Sequence, residues 1–332
     1  MIAKLISTEL VSECPGCGSA GGQAVLAAPD RFHGRQESYT LAKCPTCSLV
    51  WLATRPSADS MNGHYGEDYD RSVAVAGEDP DRWSGRRDTI LRMRPGGAIL
   101  DLGCSSGGFL AAMKRPAWKL FGIEMSEQVA KVARERSGAD VFVGDIKDAP
   151  YGAGEFDVVT CFHVLEHLDR PAEVLRCVHD WLKPGGMFYM MVPNIESGGA
   201  RIFRSYWYAL ELPRHLTHFS PGSLRHMARS VGFEELSLTT HRELFFENSV
   251  RYIFDALLGK AGIRRTPLAC RNSPSLPWRA ARKLFRLTIL PGLTWLASLA
   301  GDGESIHAIF QKPSVGSQPD RPEWAAKSSR CL

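Results

Sequence analysis

The chain has 332 residues, of which 44% are hydrophobic and 23% charged, with a formal net charge of +4 at pH 7. That length accommodates a small N-terminal unit, one α/β core and an insertion, without a second large domain. So slight a positive balance speaks against nucleic acid as a partner, since such binding draws on many phosphate contacts. Nothing at the N-terminus reads as a secretory signal, and a cytoplasmic location is expected.

Two C-x-x-C knuckles stand near the start, Cys14-Pro15-Gly16-Cys17 and Cys44-Pro45-Thr46-Cys47. Separated by roughly one hairpin-rich unit, they supply the four thiolates of a tetrahedral structural Zn2+ site. Residues 1–55 are therefore expected to form a zinc-ribbon-like subdomain, held by the ion because the segment is too short for a core of its own. The odd total of nine cysteines argues against a disulfide framework. Residues 56–87, rich in Pro, Gly, Asp and Arg, read as a linker and lead-in segment that ends in a helix over a cofactor. Tyr65 and Tyr69 within it suit two placements equally, closing over that cofactor or packing on the ribbon.

Residues 98–109, AILDLGCSSGGF, run an apolar strand into an acid and then into a glycine-rich turn. Glycines let the backbone turn tightly at the carboxyl end of a first parallel strand and approach a ligand closely. Asp101 stands two residues before Gly103, where its charge would repel a pyrophosphate and attract an ammonium or sulfonium. S-adenosylmethionine (SAM) carries both cations and no phosphate, so it suits this turn better than NAD or ATP.

A short helix follows over 109–115, then a second strand over 120–124 that ends in Glu124. Glu124 lies at about the 20-residue spacing from which a second-strand carboxylate reaches ribose hydroxyls. Ser126 is a suitable N-cap for a helix to Arg136. A third strand over 141–146 carries Asp145 at its tip, placed to accept from an adenine amino group. Residues 156–168 begin as a buried fourth strand, and 182–194 read as a turn plus a fifth. Strands alternating with helices imply a parallel, doubly wound α/β sheet with its ligand at the carboxyl ends of the strands.

The chemistry is expected just after the fourth strand, where His163, Glu166 and His167 occupy the strand-to-helix turn. An imidazole there is poised to take a proton from a hydroxyl nucleophile, and His167 is the first candidate base. A second pair, His215 and His218, lies in ELPRHLTHFS (211–220); three apart, they would share a face if the segment were helical. His215 suits acceptor binding or base work. Phe203, Tyr206, Trp207 and Tyr208 form an aromatic cluster suited to a ring acceptor, although such clusters are commonly core.

Ser220 and Pro221 start a helix to Val231, and a sixth strand is expected over 233–243. The best partner for it is distant, SIHAIFQKP at 305–313, paired antiparallel. Residues 245–300 then form a helical insertion in which Arg251, Arg264, Arg265, Arg279, Arg282 and Arg286 alternate with apolar side chains before the run LTILPGLTWLASLA. That run is short for a membrane span. Docking on the core is favoured for it, with peripheral contact on a membrane face as the other reading.

From Asp88 to Arg242 these ordered motifs resemble class I SAM-dependent methyltransferases, and VVTCFHVLEHL (158–168) resembles most the group that contains ubiquinone-pathway O-methyltransferases and many sugar and natural-product methyltransferases. The resemblance implies a Rossmann-like core of seven strands, which on this chain would cover 88–244 and 301–313 with the helical insertion between strands six and seven; the tail over 314–332 reads from its composition as disordered. It implies Asp101, Gly103 and Gly107 around the methionine moiety, with Ser105 standing where the family usually has glycine. It further implies Glu124 at the ribose, Asp145 and Ile146 at the adenine, and Phe162 beside the cofactor. In catechol-type relatives acids of the 163–167 segment bind a divalent metal; His163 replaces one of them, which leaves a second metal here open. The expected activity is methyl transfer from SAM to a hydroxyl of a small molecule that is sugar-like or phenolic. C-methylation of a nucleotide-linked sugar is the nearest alternative, ahead of RNA methylation or a non-catalytic SAM-binding scaffold.

Overall fold

Among the described residues the strands fall into three sheets, one built from the core alone and one from both the N-terminal unit and the core. The computed structural model describes residues 7–61, 64, 80–243, 245–260, 288 and 303–314. Tyr65, Tyr69, the arginines beyond Arg251, the apolar run after Thr288 and the tail beyond Ser314 lie outside the described residues.

The N-terminal unit contains β1 (Thr8–Leu10), β2 (Gln23–Pro29), β3 (Ser38–Lys43), β4 (Val50–Leu52) and β5 (Thr54–Pro56). The core follows with α1 (Ser84–Met93), β6 (Gly97–Leu102), α2 (Gly108–Met113), β7 (Trp118–Glu124), α3 (Glu127–Ser137), β8 (Asp140–Val143) and β9 (Phe156–Phe162). Then come α4 (Pro171–Trp181), β10 (Leu182–Pro193), α5 (Gly198–Phe203), β11 (Thr217–His218), α6 (Pro221–Val231), β12 (Glu234–His241), α7 (Phe245–Lys260) and β13 (Ser305–Gln311).

Seven strands form the central sheet in the order β12-β13-β10-β9-β6-β7-β8. Its neighbours are parallel except β13, which pairs antiparallel with both β10 and β12. This is the Rossmann-like arrangement expected from the sequence, including the distant last strand. The middle strands read as unbroken apolar runs because both of their faces are covered. On one face Ile99, Val158, Met187, Tyr189 and Met191 pack with Ile90, Phe109 and Met113. On the other, Leu100, Val159, Phe188 and Met190 pack with Leu175, Val178, Leu224 and Met227.

Local signals set the helix ends. Ser126 Oγ accepts from Val129 N at the start of α3, and Gly138 ends that helix in the left-handed region at φ 73°. Ser220 and Ser223 form a reciprocal capping box ahead of α6, with Pro221 in its first turn. α7 starts the connection between β12 and β13, as expected of the insertion. No helix of the described residues is long and apolar enough to cross a membrane.

The N-terminal unit is not a free-standing ribbon. Its four-stranded sheet has the order β11-β4-β3-β2, so its edge strand β11 comes from the 211–220 segment that carries His215 and His218. The segment is not helical, so the shared helical face of His215 and His218 does not form: Thr217 pairs with Trp51 and His218 with Val50 as strand, because β4 offers an open antiparallel edge. Alternation along β4 sends Trp51 into the core shared with Phe219, Leu224 and Met227, and Val50 and Leu52 into a second cluster with Trp207, Leu210 and Phe246. Trp51 is fully buried and its Nε1 donates to Val11 O at 3.0 Å. Trp51→Ala should lower the unfolding free energy by roughly 3–5 kcal/mol, the usual cost of emptying a buried aromatic site. Denaturant unfolding checks it, with faster amide exchange at Leu216 to His218 as the local sign.

Candidate active site

The carboxyl ends of β6 to β9 form one rim. After β6 the backbone enters the left-handed region three times, at Gly103 (φ 62°), Ser105 (φ 50°) and Gly107 (φ 75°). A Cβ added at Gly103 would lie 2.5 Å from a Val164 methyl, and one at Gly107 2.8 Å from Ala133 Cα, so both must be glycine. Ser105 holds the same region with a side chain, which is the physical reason glycine is the more usual residue there. Glu124 braces the turn: its Oε2 accepts from Ser105 N at 3.1 Å and its Oε1 from Ser126 N at 3.0 Å. Asp145 caps a short 3-10 turn after β8, accepting from Lys147 N at 2.9 Å, with Ile146 buried below.

Asp101 is buried at the end of β6 and accepts from Thr160 Oγ1 at 2.6 Å. Desolvation pushes its carboxyl up to about 7, against the opposing pull of the Thr160 hydroxyl and the Arg86 guanidinium. Arg86 lies over Phe162 at 5.0 Å and over Trp83 at 4.7 Å. Phe109, Phe162 and Tyr189 pack edge to face beneath, with centroids 5.1 Å apart in each pair. Phe162, which the sequence reading expects beside the cofactor, is thus set among these rings under Arg86. Arg86 escaped that reading because five arginines between 82 and 94 share the stretch and no spacing singles one out.

All the histidines singled out in the sequence converge beyond β9. His163 takes a left-handed backbone at φ 58°, which turns its side chain back toward the strand end. Its Nδ1 donates to Glu166 Oε1 at 3.2 Å, and Glu166 is 1% exposed. Burial opposes ionisation of Glu166, but the His163 hydrogen bond and the charges of His163, His215 and His167 outweigh it and hold the carboxyl at about 2. His167 Nδ1 donates to Arg214 O at 3.1 Å, and its ring meets His215 edge to face at 4.6 Å. Burial, then the neighbouring His215, push His167 down to about 4. His215 Nδ1 donates to Ala209 O at 2.9 Å. Burial pushes His218 down to about 3. Ligand atoms of Glu166, His167 and His215 all lie within 4.8 Å of one another.

The aromatic cluster has a different place. Phe203 and Trp207 are buried against Tyr39, Leu41, Val50, Leu52 and Phe246, so they form the joint between ribbon sheet and α7. They are core because both β4 and α7 present apolar side chains to them.

The cysteines of the two knuckles are free thiols. Cys14 Sγ lies 3.5 Å from Cys47 Sγ and Cys17 Sγ 3.5 Å from Cys44 Sγ, with all four sulfurs within 4.8 Å. Four thiolates at roughly 2.3 Å from one ion would need this tetrahedral cluster.

A family profile described as a methyltransferase domain matches residues 76–238. A protein of Thiobacillus denitrificans named ubiquinone biosynthesis O-methyltransferase is 35% identical over 170 residues, covering 48% of this chain and 72% of that protein. Its namesake from Pseudomonas aeruginosa is 32% identical over 179 residues, covering 48% of this chain and 77% of that one. This chain belongs to the class I SAM-dependent methyltransferases. Among solved structures, a putative methyltransferase of Bacillus halodurans aligns at 18% identity with a TM-score of 0.49, covering 72% of this chain and all (100%) of that one.

With SAM as the methyl donor, the raised carboxyl of Asp101 has a direct consequence. A cationic ligand favours the ionised form, whereas the free protein holds the proton below about pH 7. SAM affinity should therefore rise as pH increases through that value, level off above it, and release a proton on binding below it. Asp101→Asn should remove this pH dependence and weaken binding by about tenfold or more, the loss of a hydrogen bond to a charged group. Calorimetry in buffers of differing ionisation enthalpy measures both effects.

Proposed function

We propose that the protein transfers a methyl group from SAM to a hydroxyl of a small-molecule acceptor, sugar-like or phenolic, with His163 as general base. The observation that carries this reading is the His163–Glu166 dyad at the end of β9, an ionised buried carboxylate bonded to a half-exposed imidazole. Because the Glu166 carboxylate accepts a hydrogen bond from Nδ1–H, the other ring nitrogen, Nε2, is left with its lone pair for the acceptor. The acceptor oxygen attacks the sulfonium methyl carbon, the carbon–sulfur bond breaks, S-adenosylhomocysteine leaves, and the hydroxyl proton passes to His163 Nε2. Backbone strain at a non-glycine residue beside a cofactor rim agrees with a functional demand on His163.

His167 and His215 have a supporting role in this reading. Each commits Nδ1 to a carbonyl beside the dyad, His215 buried and His167 partly exposed. Arg86 would take the SAM carboxylate, since its guanidinium is held over the aromatic floor close enough to Asp101 to affect that acid. The names of the relatives favour oxygen over carbon as the nucleophile. The four knuckle cysteines would hold a structural Zn2+, whose part is to fix the ribbon sheet and not to enter the reaction.

Incubation with SAM labelled in its methyl group and panels of sugars and phenols tests the activity. His163→Ala should lower kcat by about 10²–10⁴, the range of a lost general base, with SAM affinity retained. Glu166→Gln should lower it by less. Retention of full turnover in His163→Ala would move the base elsewhere.

Elemental analysis should find a single zinc per chain, lost together with thermal stability in Cys47→Ser. A second metal equivalent that disappears in His215→Ala would instead fill the Glu166, His167 and His215 set.

A further inference from the structure

The last strand carries two buried polar atoms with no hydrogen-bond partner among the described residues, Ser305 Oγ and His307 Nε2. Buried polar atoms are nearly always paired, and exceptions beside a reaction centre point to a partner that the chain does not supply. Two residues apart on β13, they face the same side of the sheet.

The register says which side. His307 lies opposite Met191 and Ser305 opposite Pro193. Met191 pairs in turn with Phe162 and packs with Ile309 and Tyr189 in the cluster below α1. This face therefore continues the aromatic floor under Arg86. His163 N donates to Met191 O at 2.9 Å, so the dyad and His307 flank the same residue from opposite sides. An apolar strand face at this position would ordinarily carry Val or Ile. The His241 ring stacks on His307 at 3.9 Å and 24°, which fixes the imidazole plane. Burial, with the charges of His241, Arg86 and His163, pushes His307 down to about 3. The ring is neutral near pH 7 and can exchange hydrogen bonds with hydroxyls, with no charge to select an anion.

We propose that Ser305 and His307 bind the acceptor, holding a neutral, polyhydroxylated ring of the sugar class so that one of its hydroxyls reaches His163. The proposal rests on the methyl-transfer reading above and names the substrate class of the same site.

The test uses the full chain saturated with S-adenosylhomocysteine, with saturation-transfer NMR titrations of methyl α-D-mannopyranoside and, for comparison, 3,4-dihydroxybenzoate. The glycoside should bind the unaltered protein. Ser305→Ala and His307→Leu should each weaken it by about tenfold, the loss of one hydrogen bond at a desolvated site. His307→Gln, which keeps a polar group near the Nε2 position, should restore part of the loss. S-adenosylhomocysteine affinity should be unchanged in all three. The proposal is overturned by glycoside affinity that is equal in all variants, by binding of the catechol acid alone, or by no glycoside binding to protein that holds S-adenosylhomocysteine. Failure to bind S-adenosylhomocysteine at all would instead overturn the methyl-transfer reading beneath it.

Discussion

The joint between the N-terminal unit and the core depends on the pairing of β4 with β11. β4 is only three residues long, yet both its edges and both its faces are occupied: β3 and β11 on the edges, one core behind Trp51 and another behind Val50 and Leu52. Leu52 N donates to Leu216 O at 2.9 Å, and Leu216 N donates to Glu166 O at 2.8 Å. Two backbone hydrogen bonds thus connect the zinc-ribbon-like sheet to the residue that orients His163. An appended ribbon would contribute only a surface; this one shares a sheet with β11 and is hydrogen-bonded through Leu216 to Glu166.

The same neighbourhood shows how a buried charge is tolerated. Isolated, the Glu166 carboxylate would be too costly to ionise in the interior. Here one imidazole is bonded to it and two more lie close, while His167 and His218 are themselves kept neutral by burial. His163 and His167 are both partly exposed, whereas His215 and His218 are buried. The histidines differ in their hydrogen-bond partners and surroundings, although the sequence presents them as equivalent.

That difference explains what could be read in advance. The glycine turn, the acids ending the first three strands, the Ser126 and Ser220 caps and the distant last strand follow from local chemistry: each needs a residue type at one place, and the sequence displays it. The choice of His163 over His167 does not, because it turns on a left-handed backbone and on which imidazole the fold brings to Glu166. The strand at Thr217–His218 was hidden for a related reason. Two residues carry no periodicity, and they are extended only because β4 arrives from more than 160 residues away. Arg86 and His307 act through neighbours on other strands and helices, which no local pattern records.

The antiparallel last strand has a further consequence for specificity. In a parallel strand the residues that reach the cofactor rim are the last ones, but β13 runs the other way, and its first residues, Ser305 to His307, stand level with Pro193 to Met191. The connection from β12 must therefore deliver the chain to the rim before β13 begins. A long insertion at that point costs little extra closure entropy, since the cost grows only with the logarithm of length. α7 already uses the freedom: its Phe246 joins the core under Trp207 and the ribbon strands. The ribbon sheet, the 211–220 segment and α7 thus meet on one flank of the core, joined through β4, β11 and Phe246.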